Sequence, residues 1–125
     1  MKAFLIDPFT QSVTEIECDG DFDEIYALLG GVELVDFVKI DDADLIYVDD
    51  EGLFVKPVKQ QYFYFDKQFV AGKGLVISLD QYGEATTPII SRDDLVRRIT
   101  FPDHGKASAH AQFLISKTDK NTSLH

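Results

Sequence analysis

Apolar and polar residues follow one another in short runs along most of the chain, a pattern typical of β-strands separated by turns. The connections between runs are mostly too short for the crossovers that parallel strands require, so the sequence predicts a largely antiparallel sheet. Asp7 and Pro8 favour a turn, which predicts a hairpin between the first two runs. The runs cover residues 2–9, 13–18, 32–40, 45–48, 53–55, 62–65, 69–70 and 75–79.

Two segments change to helical spacing. Asp21 and Glu24 stand three residues apart, as in a capping box, and the helix they begin should stop at Gly30-Gly31, with one of these glycines in the left-handed conformation. Ser91 opens a second such pattern, and residues 107–116 form either a third short helix or another strand. The apolar positions are Phe22, Ile25, Tyr26, Leu28 and Leu29 in the first helix, and Leu95, Val96 and Ile99 in the second.

These elements predict an α+β fold, with a largely antiparallel twisted sheet of about six strands and two or three short helices packed on it. The length of 125 residues predicts a single domain over residues 1–116, followed by a flexible tail at 117–125. The lone Cys18 excludes an internal disulfide and a cysteine-based zinc site. The apolar runs are too short for a signal peptide or a membrane span, which predicts a soluble cytoplasmic protein.

The charge of the chain is unevenly distributed. The net charge is −10, made up of −13 over residues 1–54 and +3 over residues 55–125. An acidic first half argues against direct binding to nucleic acid or to an anionic membrane. It favours a partner protein with a basic surface or a metal site, and it is equally typical of a surface that only improves solubility.

The acids concentrate around one short apolar run, residues 45–48, which we expect to be a buried strand. This run separates the two groups of acids by about 13 Å at about 3.3 Å per residue, so they cannot share one ion, although each group alone could hold Mg²⁺ or Ca²⁺ weakly. We therefore assign no metal, no cofactor and no catalytic residue, and interpret the acids as binding residues. This acidic bracket consists of Asp41, Asp42, Asp44, Asp49, Asp50 and Glu51.

Three other patterns fail the motifs they approach. The acids that begin at Asp19 place Glu24 and Gly30 where a calcium-binding EF-hand loop needs glycine and glutamate. The lysine between Gly72 and Gly74 is followed by a strand pattern, whereas a phosphate-binding loop opens a helix. The three histidines lack metal-binding spacing, the only cysteine is distant from them in sequence, and no serine has the context of a nucleophile elbow.

Tyr62 and Tyr64 should point to one side of a strand, with Phe63 and Phe65 on the other. We expect the phenylalanine side to be core and the tyrosine side to be available for binding, since tyrosine is enriched at interfaces. Stacking of single-stranded nucleic acid on these tyrosines is conceivable, but the overall charge argues against it. Association of copies of the chain through an edge strand is another use of the same residues.

Residues 46–53, Ile-Tyr-Val-Asp-Asp-Glu-Gly-Leu, are followed some twenty residues later by Ala-Gly-Lys-Gly-Leu-Val-Ile at 71–77. This middle third of the chain resembles an uncharacterised family of small phage and plasmid proteins, in which a Tyr-Val-(Asp/Asn)-(Asp/Glu)-Glu-Gly turn leads to a glycine-containing strand. The resemblance carries no activity or site residue. It implies an accessory protein of a mobile element, and many small acidic proteins of that origin bind host proteins.

Three hypotheses follow. The first is a non-enzymatic, protein-binding accessory factor that docks its acidic half on a basic host surface. The second is a metal-dependent hydrolase or small-ligand-binding protein that uses the clustered carboxylates. The third is an oligomerising structural module. We favour the first because the net charge over residues 1–54 is −13.

Overall fold

The fold is described from a computed structural model, which covers residues 1–31, 35–49 and 61–102. These ranges contain two short helices and nine strands, joined mostly by tight turns. The helices are α1 (Phe22–Leu28) and α2 (Arg92–Arg97). The strands are β1 (Lys2–Asp7), β2 (Ser12–Glu17), β3 (Val35–Lys39), β4 (Asp44–Asp49), β5 (Tyr62–Phe65), β6 (Gln68–Ala71), β7 (Gly74–Leu79), β8 (Ala85–Thr86) and β9 (Ile99–Thr100).

Six of the strands form the larger sheet, in the order β2-β1-β7-β4-β3, with β8 paired to β7. Every described strand pairing is antiparallel, and β1 and β2 form the expected hairpin. The prediction of a largely antiparallel α+β fold is therefore confirmed. The larger sheet has six strands, as predicted, but β6, β5 and β9 form a separate three-stranded sheet that the sequence did not predict.

Both faces of the larger sheet are covered, which explains why its central strand β7 carries consecutive apolar residues at 75–77. Helix α1 packs Ile25 and Leu29 on one face, called here the α1 face. The smaller sheet and α2 cover the opposite face, where Phe63 and Leu95 are fully buried. The larger sheet contributes Ala3, Leu45, Leu75 and Ile77 to the α1 face, and Phe4, Ile6, Ile46 and Val76 to the opposite face.

The predicted start and stop of α1 are confirmed, with one change in the capping box. The Asp21 carboxylate accepts a hydrogen bond from the backbone N–H of Glu24 at 2.9 Å. The Glu24 carboxylate accepts from the N–H groups of Asp19 and Gly20, two residues and one residue ahead of the expected N-cap donor. The residues that end the helix, Gly30 and Gly31, both have positive φ, at 100° and 75°.

Helix α2 also starts as predicted, since the Ser91 hydroxyl accepts from the N–H of Asp94 at 3.1 Å. Its apolar face is only partly as predicted: Leu95 is fully buried, whereas Val96 is 40% exposed. Ile99 lies beyond the end of the helix, in β9, because the chain turns into the smaller sheet after Arg98. The predicted run at 53–55, the third helix or strand at 107–116 and the tail at 117–125 lie outside the described residues.

The segment between β6 and β7 bends at Gly72, with φ of 82°, and Gly74 then opens a strand, as predicted. Gly74 lies under the smaller sheet. A Cβ atom at this position would stand 2.8 Å from the Ile46 side chain and 3.0 Å from the Phe63 ring. Glycine is therefore needed to let the two layers approach. Within the described ranges, neither helix has the length and apolarity that a membrane crossing requires.

Candidate functional site

The acidic bracket is divided by β4 instead of forming one surface. Asp41 and Asp42 are exposed just before the strand, and Asp49 ends it. A strand of this length extends about 17 Å from first to last Cα at about 3.3 Å per residue, so the two groups of acids lie at opposite ends of the sheet. Asp50 and Glu51 lie outside the described residues. Among the residues that are described, no three potential metal ligands converge.

Asp44 is a structural residue, since its side chain has no exposed surface. One carboxylate oxygen accepts from the backbone N–H of Ile89 at 2.9 Å, and the other accepts from that of Ile90 at 2.7 Å. These bonds fix the segment before α2 to the first residue of β4. Asp44 was predicted to be a binding residue, but a partner approaching the surface cannot reach it in this conformation.

Asp41 is exposed and organises the turn that leads into β4. Its carboxylate accepts from the backbone N–H groups of Ala43 at 3.0 Å and Asp44 at 2.8 Å. These backbone hydrogen bonds, followed by a weaker contribution from the Arg98 guanidinium, lower the pKa of the Asp41 carboxyl below its ordinary value of 3.8. Asp41 therefore has a conformational role in addition to any role in binding.

The lowered pKa of Asp41 predicts a pH-dependent contribution to stability. This contribution is complete above the unfolded-state pKa of 3.8 and is lost as the pH falls below it through the folded-state value. In urea unfolding, the wild type should have a higher midpoint than Asp41→Asn at pH 6, and the difference should be smaller at pH 3. Asp42→Asn, at the exposed neighbouring position, is the matched control. A difference that is equally large at pH 3 and pH 6 would refute this assignment.

Tyr62 and Tyr64 do not present the exposed surface expected of them. Tyr62 is only 4% exposed, and its ring centroid lies 4.5 Å from that of Phe69 on β6. Tyr64 is half-buried and contacts both rings, with centroids 5.5 and 6.0 Å away. The expectation of an exposed tyrosine side is therefore wrong for Tyr62. The prediction that Phe63 and Phe65 are core residues is confirmed.

An open concavity of about 630 Å³ lies between the Asp41 turn and α2. It contains two arginines, but each already has a partner. Arg97 bonds Asp94 at 2.7 Å. Arg98 donates to both carboxylate oxygens of Asp66, at 3.1 and 2.8 Å. Hydrogen bonding to Arg98 lowers the pKa of the Asp66 carboxyl, as expected for an established ion pair. The concavity is therefore not prepared for an anionic ligand.

Three loops bring exposed acids together at one end of the larger sheet. The antiparallel registers place the start of β1, the start of β4 and the end of β7 at this end. The N–H of Leu79 donates to the Ala43 carbonyl at 3.1 Å, which joins two of the three loops directly. We call this surface the acidic loop end. Its acids are Asp19, Asp21, Asp41, Asp42, Asp80 and Glu84, all of them exposed.

A cluster of four aromatic side chains lies on the α1 face, although no local pattern in the sequence groups them. The Phe22 ring lies 6.0 Å from Tyr26 and 6.1 Å from Tyr47, measured between centroids. Phe37 is the cross-strand neighbour of Tyr47 and points to the same face. Phe22 and Phe37 are 55% and 54% exposed. We call these four residues the aromatic patch.

Partial burial of Tyr47 raises the pKa of its hydroxyl above the ordinary value of 10.0, as expected for a phenol within an apolar cluster. The helical spacing had identified Phe22 and Tyr26 only as residues of an apolar stripe, and the alternation had identified Phe37 only as a strand residue. The available signal was the apolar run at 32–40, but the sequence does not show that this run forms the edge strand β3. Which side chains α1 would leave uncovered depends on where the helix lies across the sheet.

A family model described as Domain of unknown function (DUF3846) matches residues 1–100. This match spans every helix and strand that the structure describes. No curated protein and no solved structure matches the chain.

Proposed function

We propose that this chain, which belongs to the DUF3846 family of domains of unknown function, is a non-enzymatic protein-binding factor that docks on a basic partner surface. In this proposal it is an accessory factor of a phage or plasmid and acts on a host protein in the cytoplasm. The proposal is made for the acidic half of the chain, where the net charge over residues 1–54 is −13.

The observation that carries the proposal is the acidic loop end. Its acids are distant in sequence, but the antiparallel registers bring their loops to one end of the sheet. Like charges on neighbouring loops repel one another, so this arrangement costs stability unless it is neutralised from outside. A basic partner surface would supply that neutralisation. Long-range attraction of this kind speeds association and weakens as salt is added.

Individual hydrogen bonds in these loops explain some of the acids but not all of them. Asp41 and Asp80 each accept backbone N–H groups within their own turns, so both have a local structural role. Asp42 and Glu84 are exposed beside them. These two residues are therefore the best positions at which to separate binding from folding.

The test is partner capture from a nuclease-treated lysate of the cells that carry the gene. The test variant combines Asp19→Asn, Asp42→Asn and Glu84→Gln, which takes one exposed acid from each of the three loops. We expect a basic protein to be retained by the wild type, to elute as salt is raised and to be lost from this variant. The reason is that the variant removes three charges from one surface without changing the shape of the side chains.

A matched control removes the same number of charges elsewhere. It combines Asp7→Asn, Glu15→Gln and Asp93→Asn, which lie on the opposite end of β1, on β2 and in the first turn of α2. This control should retain the partner as the wild type does. If both triple variants retain the partner equally, or if its retention does not respond to salt, the proposed docking through the acidic loop end is wrong.

A further inference from the structure

The aromatic patch leaves more aromatic side-chain surface exposed to water than is usual in a soluble protein. Monomeric soluble proteins bury most of their large aromatic surface, and a contiguous exposed group usually marks a contact site. Here the two phenylalanines, Phe22 and Phe37, each leave more than half of their surface in water. Tyr47 connects them, since its ring contacts that of Phe22 and it is the cross-strand neighbour of Phe37.

Acidic residues adjoin the patch, and they restrict what can cover it. Asp21 and Asp23 flank Phe22 in the chain, and both are exposed. Asp21 also belongs to the acidic loop end, so the two surfaces meet at the start of α1. Asp36 precedes Phe37 on β3, but side chains alternate along a strand and Asp36 points to the opposite face, so the carboxylates beside the patch are those at the start of α1. An occupant of the patch must therefore offer groups that are favourable both to aromatic faces and to carboxylates.

The chain itself contains one example of a group that satisfies both conditions. The Arg98 guanidinium lies 4.5 Å from the centroid of the Phe65 ring while it donates to both oxygens of the neighbouring Asp66. A planar guanidinium can stack on a ring and bind a carboxylate at its edge, which the ammonium of lysine does less well. Phe22 beside Asp21 and Asp23 presents the same combination of residue types to the outside.

Addition of a partner strand to β3 would be the other way to use this edge of the sheet. Neighbouring residues of an antiparallel edge strand point their N–H groups alternately inward and outward. The N–H of Phe37 donates to the Asp36 carboxylate at 2.8 Å, which places it in the outward row and satisfies it within the chain. A charged residue on an edge strand is a common means of preventing strand addition. Contact through the side chains of the patch is therefore favoured over pairing with β3.

We propose that the aromatic patch is the docking surface for an arginine-bearing segment of the basic partner, whose guanidinium groups stack on Phe22 and Phe37 beside the adjoining carboxylates. This inference rests on the proposed function and adds the contact surface and the preferred residue type of the partner. The acidic loop end attracts the partner at long range, and the patch recognises arginine at short range.

The test measures the fluorescence anisotropy of a labelled peptide in which arginine alternates with glycine, and of its lysine counterpart. Phe22→Ala combined with Phe37→Ala should weaken binding of the arginine peptide by about five- to thirtyfold, since exposed cation–π contacts contribute roughly 0.5–1 kcal/mol each. Phe9→Ala, at a phenylalanine that is 43% exposed on the β1–β2 turn, is the matched control and should bind as the wild type does. The wild type should prefer the arginine peptide to the lysine peptide.

Phe37→Leu keeps an apolar side chain but removes the aromatic face, so it should also weaken binding while leaving the fold intact. The inference is overturned if the double variant binds the arginine peptide as the wild type does, if the two peptides bind equally well, or if the wild type binds neither. Sedimentation that shows a dimer dependent on Phe37 would overturn it too, since a second copy would then cover the patch. If the Asp19, Asp42 and Glu84 triple variant loses binding of the arginine peptide while the Phe22 and Phe37 double variant does not, the proposed function stands without this inference.

Discussion

Asp44→Ala is expected to lower the free energy of unfolding by about 3 kcal/mol, because it removes two hydrogen bonds to a buried carboxylate, each contributing roughly 1.5–3 kcal/mol. The lost bonds are those from the N–H groups of Ile89 and Ile90, at 2.9 and 2.7 Å. They connect β4 to a segment 45 residues later in the chain. Urea unfolding of the two proteins at neutral pH measures the difference.

Asp42→Ala is the matched control, since Asp42 is an exposed acid close to Asp44 in the chain. It should change stability by less than about 0.5 kcal/mol. Asp44→Asn makes the test sharper. The amide keeps one accepting oxygen but turns its NH₂ group toward a second N–H donor, so it should recover only part of the loss. Equal stability of the Asp42 and Asp44 variants would show that the buried carboxylate does not hold the two segments together.

Phe63→Ala is expected to have an effect at least as large, a loss of about 3–5 kcal/mol, because the substitution leaves a cavity between the two sheets. Phe63 is fully buried, and its ring lies against Gly74, where even one added carbon would stand 3.0 Å away. The surrounding backbone belongs to paired strands and cannot collapse freely into the space. For a domain with a stability of about 5–15 kcal/mol, the loss is a large fraction of the total.

The matched control for this second prediction is Phe9→Ala, which removes the same side chain from a position that is 43% exposed. It should cost much less, since little apolar surface is returned to water. Thermal unfolding followed by circular dichroism distinguishes the two variants, and the midpoint of Phe63→Ala should be lower by many degrees. Similar midpoints for the two alanine variants would contradict the placement of Phe63 in a closed layer between the sheets.

Several elements of the fold could be predicted because their signals are local. The caps of α1 and α2 depend on a side-chain oxygen three residues from an N–H group, which is a property of the sequence spacing itself. The β1–β2 hairpin follows from a turn between two β-rich runs. The existence of β7 follows from its run of apolar, β-rich residues.

The site could be predicted only in part, because the roles of its residues depend on partners that are remote in sequence. Asp44 has the same local pattern as Asp42, yet its carboxylate meets two N–H groups from the segment before α2 and becomes a buried structural residue. Tyr62 has the pattern of an exposed strand residue, yet it packs against Phe69 on β6. In both cases a second segment decides exposure, and local periodicity carries no information about that segment.

By itself, then, the sequence determined the antiparallel α+β class, the capped helices and the acidic character of residues 1–54, because each depends on residues close together in the chain. Only the tertiary structure decided that the strands separate into two sheets, that Asp44 is internal, and that three acidic loops share one end of the larger sheet. It also decided the aromatic patch, because α1 crosses the sheet at a position that leaves Phe22 and Phe37 exposed. The physical reason is that strand order and layer packing are set by long-range burial, which the local pattern constrains but does not specify.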